Sequence, residues 1–303
     1  MKHVALMDRV LEEHLATIAQ DGIDRYVLGD KQLRLAFVHG TALVNRMRAN
    51  HAFGPAATRV MGEAYLLALL SAATLKESER LSLIVETDGE LPGLVAEANQ
   101  IGHVRGYLRN EEFTVDAERG VYSAFGRGFI GILRVAADGQ STQGQIEWTG
   151  GDLVGNMARY YAHSEQTATV LDVGIHFDPQ GRVAGAAGMM LQALPGAPAG
   201  LIERASTALA GAGRIAAAFA SGATASDIVH RTLSEFDPTF LGSTAAEFYC
   251  DCSKERFGTF LAALPPDERS DILENGPFPL KTTCHNCNST YSFPRDELNS
   301  LLA

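Results

Sequence analysis

Apolar positions change their period along this chain, and each change marks a different kind of element. Thr58 to Leu75 (TRVMGEAYLLALLSAATL) has helical length and is apolar on nearly every side, which predicts a buried helix. Pro55, just ahead of it, suits a helix entry. In the following RLSLIVET, Leu81, Leu83 and Val85 alternate with Ser82, Ile84 and Glu86, a strand pattern closed by Asp88-Gly89. Glycine-punctuated runs at Gly126–Leu133 and in GQIEWTGG (144–151) predict further strands. Strands mixed with separate helices predict an α+β fold, with a mixed α/β core over residues 1–195 and no evident internal repeat.

The pattern thins between about Pro195 and Ala246. GAPAGLIERASTALAGAGRIAAAFASGATAS is dominated by Ala and Gly. Alanine favours helix but buries little area, and each interior glycine costs about 1 kcal/mol relative to alanine. Residues 196–246 therefore read as a marginally stable helical linker. The last stretch, Glu247 to Ala303, reads as a small separate module. Within it FGTFLAALPPDERSDILEN predicts two short helices broken at Pro265-Pro266, and LKTTC and STYSF predict a hairpin. So little apolar mass should barely fold unaided.

The net charge of −11 disfavours a nucleic-acid partner, because phosphate binding needs a basic face. No apolar run approaches the roughly 18 residues of a membrane span. Asp8, Arg9, Glu12 and Glu13 break the apolar residues near the N-terminus, unlike a secretory signal. These features predict a cytoplasmic protein, where paired cysteines read as metal or redox sites rather than structural disulfides.

All four cysteines lie in the last fifth of the chain, as Cys250-Asp251-Cys252 and Cys284-His285-Asn286-Cys287. Four thiolates make a closed, soft, tetrahedral set, which zinc prefers. The Cys-x-Cys half is unusual, since structural zinc sites mostly space their cysteines by two or more residues. It points away from a plain zinc ribbon.

These motifs resemble the 33-kDa heat shock protein family of redox-regulated bacterial chaperones. The resemblance rests on C-D-C-S-K-E-R-F (Cys250 to Phe257) and C-H-N-C-N-S-T-Y-S-F (Cys284 to Phe293). It continues in GEAYLLALLSAATLKESERLSL (62–83), AEANQIGHVRGY (96–107), HSEQTATVLDVGI (163–175) and AGAAGMMLQALPG (184–196), and is weakest in the Ala/Gly-rich linker. It implies an ATP-independent holdase for unfolding client proteins. In the reduced state Cys250, Cys252, Cys284 and Cys287 would hold one zinc with the chaperone off. Peroxide or hypochlorite under unfolding conditions would form disulfides, release zinc and switch it on, generally as a homodimer.

The physics of the spacing fits a switch. Cys284 and Cys287 can close a disulfide within a turn, whereas Cys250 and Cys252 need a sharply bent, more reducible bridge. Structural zinc contributes roughly 10–16 kcal/mol to a small site, comparable to a whole domain's stability of about 5–15 kcal/mol. Losing it should unfold the tail, and a linker docked on that tail would lose support too. Two rivals remain from the cysteines alone: a permanent structural zinc site, and a thiol-disulfide oxidoreductase using CHNC. Against the second, CHNC does not open a helix after a buried strand.

Other polar residues carry weaker signals. His285 reads as a solvated knuckle residue and Asp251 as a surface residue shaping the turn. His163-Ser164-Glu165-Gln166 suggests a polar site, but no nucleophile accompanies it, so a structural role is expected. Arg105 and Glu63 are candidates for a buried ion pair, and Met189-Met190-Leu191 reads as core. No catalysis is expected.

Overall fold

The computed structural model describes residues 1–302. The chain runs through α1 (Arg9–Leu15), β1 (Gly22–Leu28), β2 (Leu33–His39), α2 (Thr41–His51) and α3 (Pro55–Ala72). Then come β3 (Arg80–Thr87), β4 (Gly93–Asn99), β5 (His103–Leu108), β6 (Gly128–Val135), β7 (Ser141–Trp148) and α4 (Leu153–His163). After β8 (Thr169–Phe177) and β9 (Val183–Ala193) follow α5 (Leu201–Ala210), α6 (Ile215–Ala220) and α7 (Ala225–Thr232). The remainder is β10 (Thr239–Ala245), β11 (Glu247–Phe248), α8 (Lys254–Ala262), α9 (Pro266–Asn275), β12 (Leu280–Thr283), β13 (Thr290–Phe293) and α10 (Arg295–Leu302).

Two sheets flank one helix. The first has the order β10-β1-β2-β9-β8, and the second β11-β5-β4-β3-β6-β7. Helix α3 touches β2, β8 and β9 on one side and β3, β4 and β5 on the other. This position explains an apolar sequence all round: a helix between two sheets has no wet face. It begins a turn earlier than the pattern suggested, because Pro55 occupies the first helical turn itself, where its missing N–H costs nothing. The strand expected at RLSLIVET is β3, and the two glycine-punctuated runs are β6 and β7. Among the described residues, no helix is long and apolar enough to cross a membrane.

The segment 196–246 forms three helices and a strand. Its last part, Thr239–Ala245, is an edge strand, β10, antiparallel to β1. Its helices α5 to α7 cover the outer face of the first sheet: Ile202, Leu209, Ile215, Phe219, Ile228 and Val229 pack with Tyr26, Leu28, Leu35, Phe37, Met189 and Leu191. Small residues permit this close approach. A Cβ on Gly185 of β9 would lie 2.3 Å from the Ala216 carbonyl oxygen and 2.7 Å from Ala220 Cβ. The alanines of α6 thus gain contact through proximity rather than side-chain area. Met189 and Met190, adjacent in β9, face opposite sides, one under these helices and one in the central core.

The tail packs α8, α9 and α10 with the β12–β13 hairpin around Tyr291, Phe293, Leu298 and Leu302, all buried. The helices break at Pro265-Pro266 as expected.

Candidate metal centre

The first cysteine pair sits where a strand hands over to a helix. Glu247 and Phe248 of β11 pair in parallel with His103 and Val104 of β5, and Tyr249 N–H continues the ladder to the Val104 carbonyl at 3.0 Å. Ser253 caps α8, its hydroxyl accepting from Arg256 N–H. Residues i and i+2 of a chain leaving a strand face one side, so a one-residue spacer suffices to aim both thiols inward.

The second pair is a knuckle between β12 and β13, not the mouth of a helix. Cys284 N–H donates to the Ser289 carbonyl at 3.0 Å, and Asn288 N–H donates to the Cys284 carbonyl at 2.7 Å. Asn288 has φ +54°, a left-handed conformation that asparagine tolerates better than most side chains.

Together these turns bring the four sulfurs within 4.8 Å of one another, all on buried residues. Cys250 Sγ lies 3.8 Å from Cys284 Sγ, and Cys252 Sγ lies 3.3 Å from Cys287 Sγ. A tetrahedron with metal–sulfur bonds of about 2.3 Å has edges of about 3.8 Å, so the donor set fits zinc in number, chemistry and spacing. The electrostatics agree. Hydrogen bonds from Cys284 and Cys287 pull the Cys250 thiol far down, while bonding to Cys250 pushes Cys284 up to about 11 and Cys287 further still. One thiolate forms readily, but four together need a cation.

The surroundings complete the site. Tyr291 Oη is 3.3 Å from Cys252 Sγ, and Ser289 Oγ is 3.2 Å from Cys287 Sγ. Arg105 Nη1 stands 3.6 Å from Cys250 Sγ. Burial would lower that guanidinium, but the bond to Glu97 and the charges of Cys250 and Asp251 hold it up. The ring of His51, stacked on Phe53 at 4.7 Å, is pushed down to about 4 by burial and is therefore uncharged at neutral pH. Asn50 Nδ2 donates to the Cys287 carbonyl at 2.9 Å. The N-terminal segment closes one side: Lys2 N–H donates to Ser289 Oγ at 2.8 Å, and its ammonium lies over the Tyr291 ring.

His285 is exposed beside Tyr107, and Asp251 is exposed and held by Arg105 and Arg256. The suggested Arg105–Glu63 pair does not form. Arg105 bonds Glu97 and Asp251, while Glu63 accepts from the Tyr122 hydroxyl. Glu165 of the HSEQ stretch bonds Arg134 and Tyr160, tying the end of α4 to β6. Asn50, Lys2, Ser289 and Tyr291 were not singled out by sequence. Only Tyr291 carried a signal, its alternation with Phe293 in STYSF.

Comparison with known proteins agrees with this geometry. A family model described as Hsp33 protein matches residues 21–294. The 33 kDa chaperonin of Desulforamulus reducens is 30% identical over 288 residues, covering 93% of this chain and 97% of the relative. That of Symbiobacterium thermophilum is 34% identical over 263 residues, covering 85% and 89%. The crystal structure of the 33 kDa chaperonin from Thermotoga maritima superposes with a TM-score of 0.84 at 26% identity, covering 94% of this chain and 98% of that one. Motifs, fold and cysteine cluster converge on one assignment: this chain belongs to the Hsp33 protein family.

Proposed function

We propose that this protein is an ATP-independent holdase, silent while its four cysteines are reduced and metal-bound, and active once they are oxidised. The observation that carries the reading is the convergence of Cys250, Cys252, Cys284 and Cys287 into one buried cluster at the junction of tail and core. A bound zinc ion would cross-link the tail and keep the sulfurs ionised, contributing roughly 10–16 kcal/mol to its folding. Oxidation balances simply: each pair of thiolates passes two electrons to one peroxide, which takes up two protons from solvent and leaves as two waters. The pairs are Cys250 with Cys252 and Cys284 with Cys287, and their closure ends metal binding.

Chain continuity carries the event to the core. Cys250 follows β11 and β10, both edge strands, and behind them lie α5 to α7 over an apolar sheet face. Freeing the tail pulls on those edges, loosens the helices and uncovers Phe37, Met189 and Leu191 for unfolding clients. We divide the chain accordingly into a chaperone core (1–195), a helical cover (196–246) and a redox tail (247–303), working in the cytoplasm and dimerising when oxidised. No catalytic step is involved.

The test is light scattering from a thermally unfolding client enzyme. Peroxide-treated protein should suppress aggregation and reduced protein should not. Equal suppression by both forms, or by neither, contradicts the reading.

A further inference from the structure

The core reaches the two cysteine pairs through different side chains. Arg105 donates from Nε to Glu97 at 2.7 Å and from Nη1 to the Asp251 carboxylate. Glu97 sits opposite Arg105 in the β4–β5 register, so the guanidinium is fixed on its own sheet before it grips the tail. Arg256 holds the other Asp251 oxygen. Among the described residues, none of these side-chain bonds involves the second pair.

Asn50, at the end of α2, serves that second pair. Its Nδ2 donates to the Cys287 carbonyl at 2.9 Å and to the Lys2 carbonyl at 2.8 Å, while its Oδ1 accepts from Val4 N–H at 3.0 Å. Its own carbonyl accepts from Asn288 Nδ2 at 3.0 Å. A buried amide using both donors and an acceptor is a fixed joint among core, N-terminal segment and knuckle.

We infer that Arg105 and Asn50 are positioning residues, one for each cysteine pair, and that each separately restrains the closure of its own pair. The inference rests on the redox reading above. Its physical basis is distance. A disulfide needs sulfurs about 2.05 Å apart, so thiols held at their places in a shared cluster must leave them, and the backbone must follow. The Asp251 side chain, between the first two cysteines, and the Cys287 carbonyl are the points that these side chains hold. In the closure, two thiolates again lose two electrons to one peroxide, which takes up two protons from solvent and becomes two waters.

The test uses full-length reduced protein with peroxide at heat-shock temperature, quenched by thiol alkylation, each pair being counted by mass spectrometry. Losing a charge-assisted or buried hydrogen bond should speed closure roughly three- to tenfold. Arg105→Gln should accelerate Cys250–Cys252 and leave Cys284–Cys287 at the wild-type rate. Asn50→Asp, which keeps the shape but loses both donations, should do the reverse, and Asn50→Ser should repeat that without the added charge. Arg105→Lys should fall between, since a point charge keeps Asp251 but not the fork to Glu97. Amide hydrogen exchange without oxidant should rise near Asp251 in one variant and near Cys287 in the other, where a merely structural role would loosen both alike. Wild-type protein that keeps its thiols through peroxide overturns the redox reading. Wild-type protein that oxidises while the variants track it, or accelerate both pairs equally, overturns this inference alone.

Discussion

The Tyr291 hydroxyl donates to the Cys252 carbonyl at 2.9 Å, tying the hairpin of the second cysteine pair to the backbone of the first. Both groups are buried, so removing the hydroxyl strands the carbonyl without water. Tyr291→Phe should destabilise the tail by about 1–3 kcal/mol. Trp148, the one tryptophan of the chain, is fully buried in the core and reports on that part separately. The expected result is faster hydrogen exchange across residues 250–262 and faster loss of metal to a chelator, with the Trp148 fluorescence melt unchanged. An unchanged exchange pattern would show that the hydroxyl contributes nothing.

A second prediction concerns pH. Burial pushes Glu63 up to about 7, against the lowering effect of its bond from Tyr122. The folded value lies above the unfolded one, so this group's contribution is fully present below about pH 4.5 and is lost as pH rises through 7. The core should therefore lose about 1 kcal/mol of stability from this group between pH 6 and pH 8. Glu63→Gln keeps an acceptor for Tyr122 and should flatten that slope in denaturant titrations. What remains in that variant is set by Asp21, which burial raises to about 6, against His51, whose lowered value acts with the opposite sign. A pH slope identical in the wild type and in Glu63→Gln would contradict the assignment.

A third prediction follows from the close approach of α6 to β9. Gly185→Ala places a methyl group against the Ala216 carbonyl, a clash that no rotamer relieves. Overpacking of this kind typically costs about 1–3 kcal/mol. The helical cover should lift in the reduced protein, giving increased binding of an apolar dye and partial suppression of client aggregation without oxidant. Wild-type behaviour in both assays would separate the cover from client binding.

The parts of this fold that sequence made legible share a cause. Helix α3 and strand β3 show their environments directly, since burial between two sheets makes one apolar all round and half-burial makes the other alternate. The cysteine pairs are legible because four soft ligands have few other uses. The cover was harder to read. Its alanines look poor in packing energy until Gly185 opposite is seen to admit them. Strand β10 exposes Phe240 and Leu241 and is otherwise small or polar, so its pattern does not announce an edge strand. The roles of Asn50 and Lys2 depend on contacts to residues more than two hundred positions away, and no local pattern encodes those.

The most direct test of the central claim follows bound zinc, free thiols and client light scattering in one sample during peroxide treatment at heat-shock temperature. Reduced protein should start with one zinc and four thiols per chain. Zinc release should accompany thiol loss, and suppression of aggregation should appear only then. Metal and thiols that survive while aggregation is suppressed, or well-folded protein that starts without metal, would contradict the account.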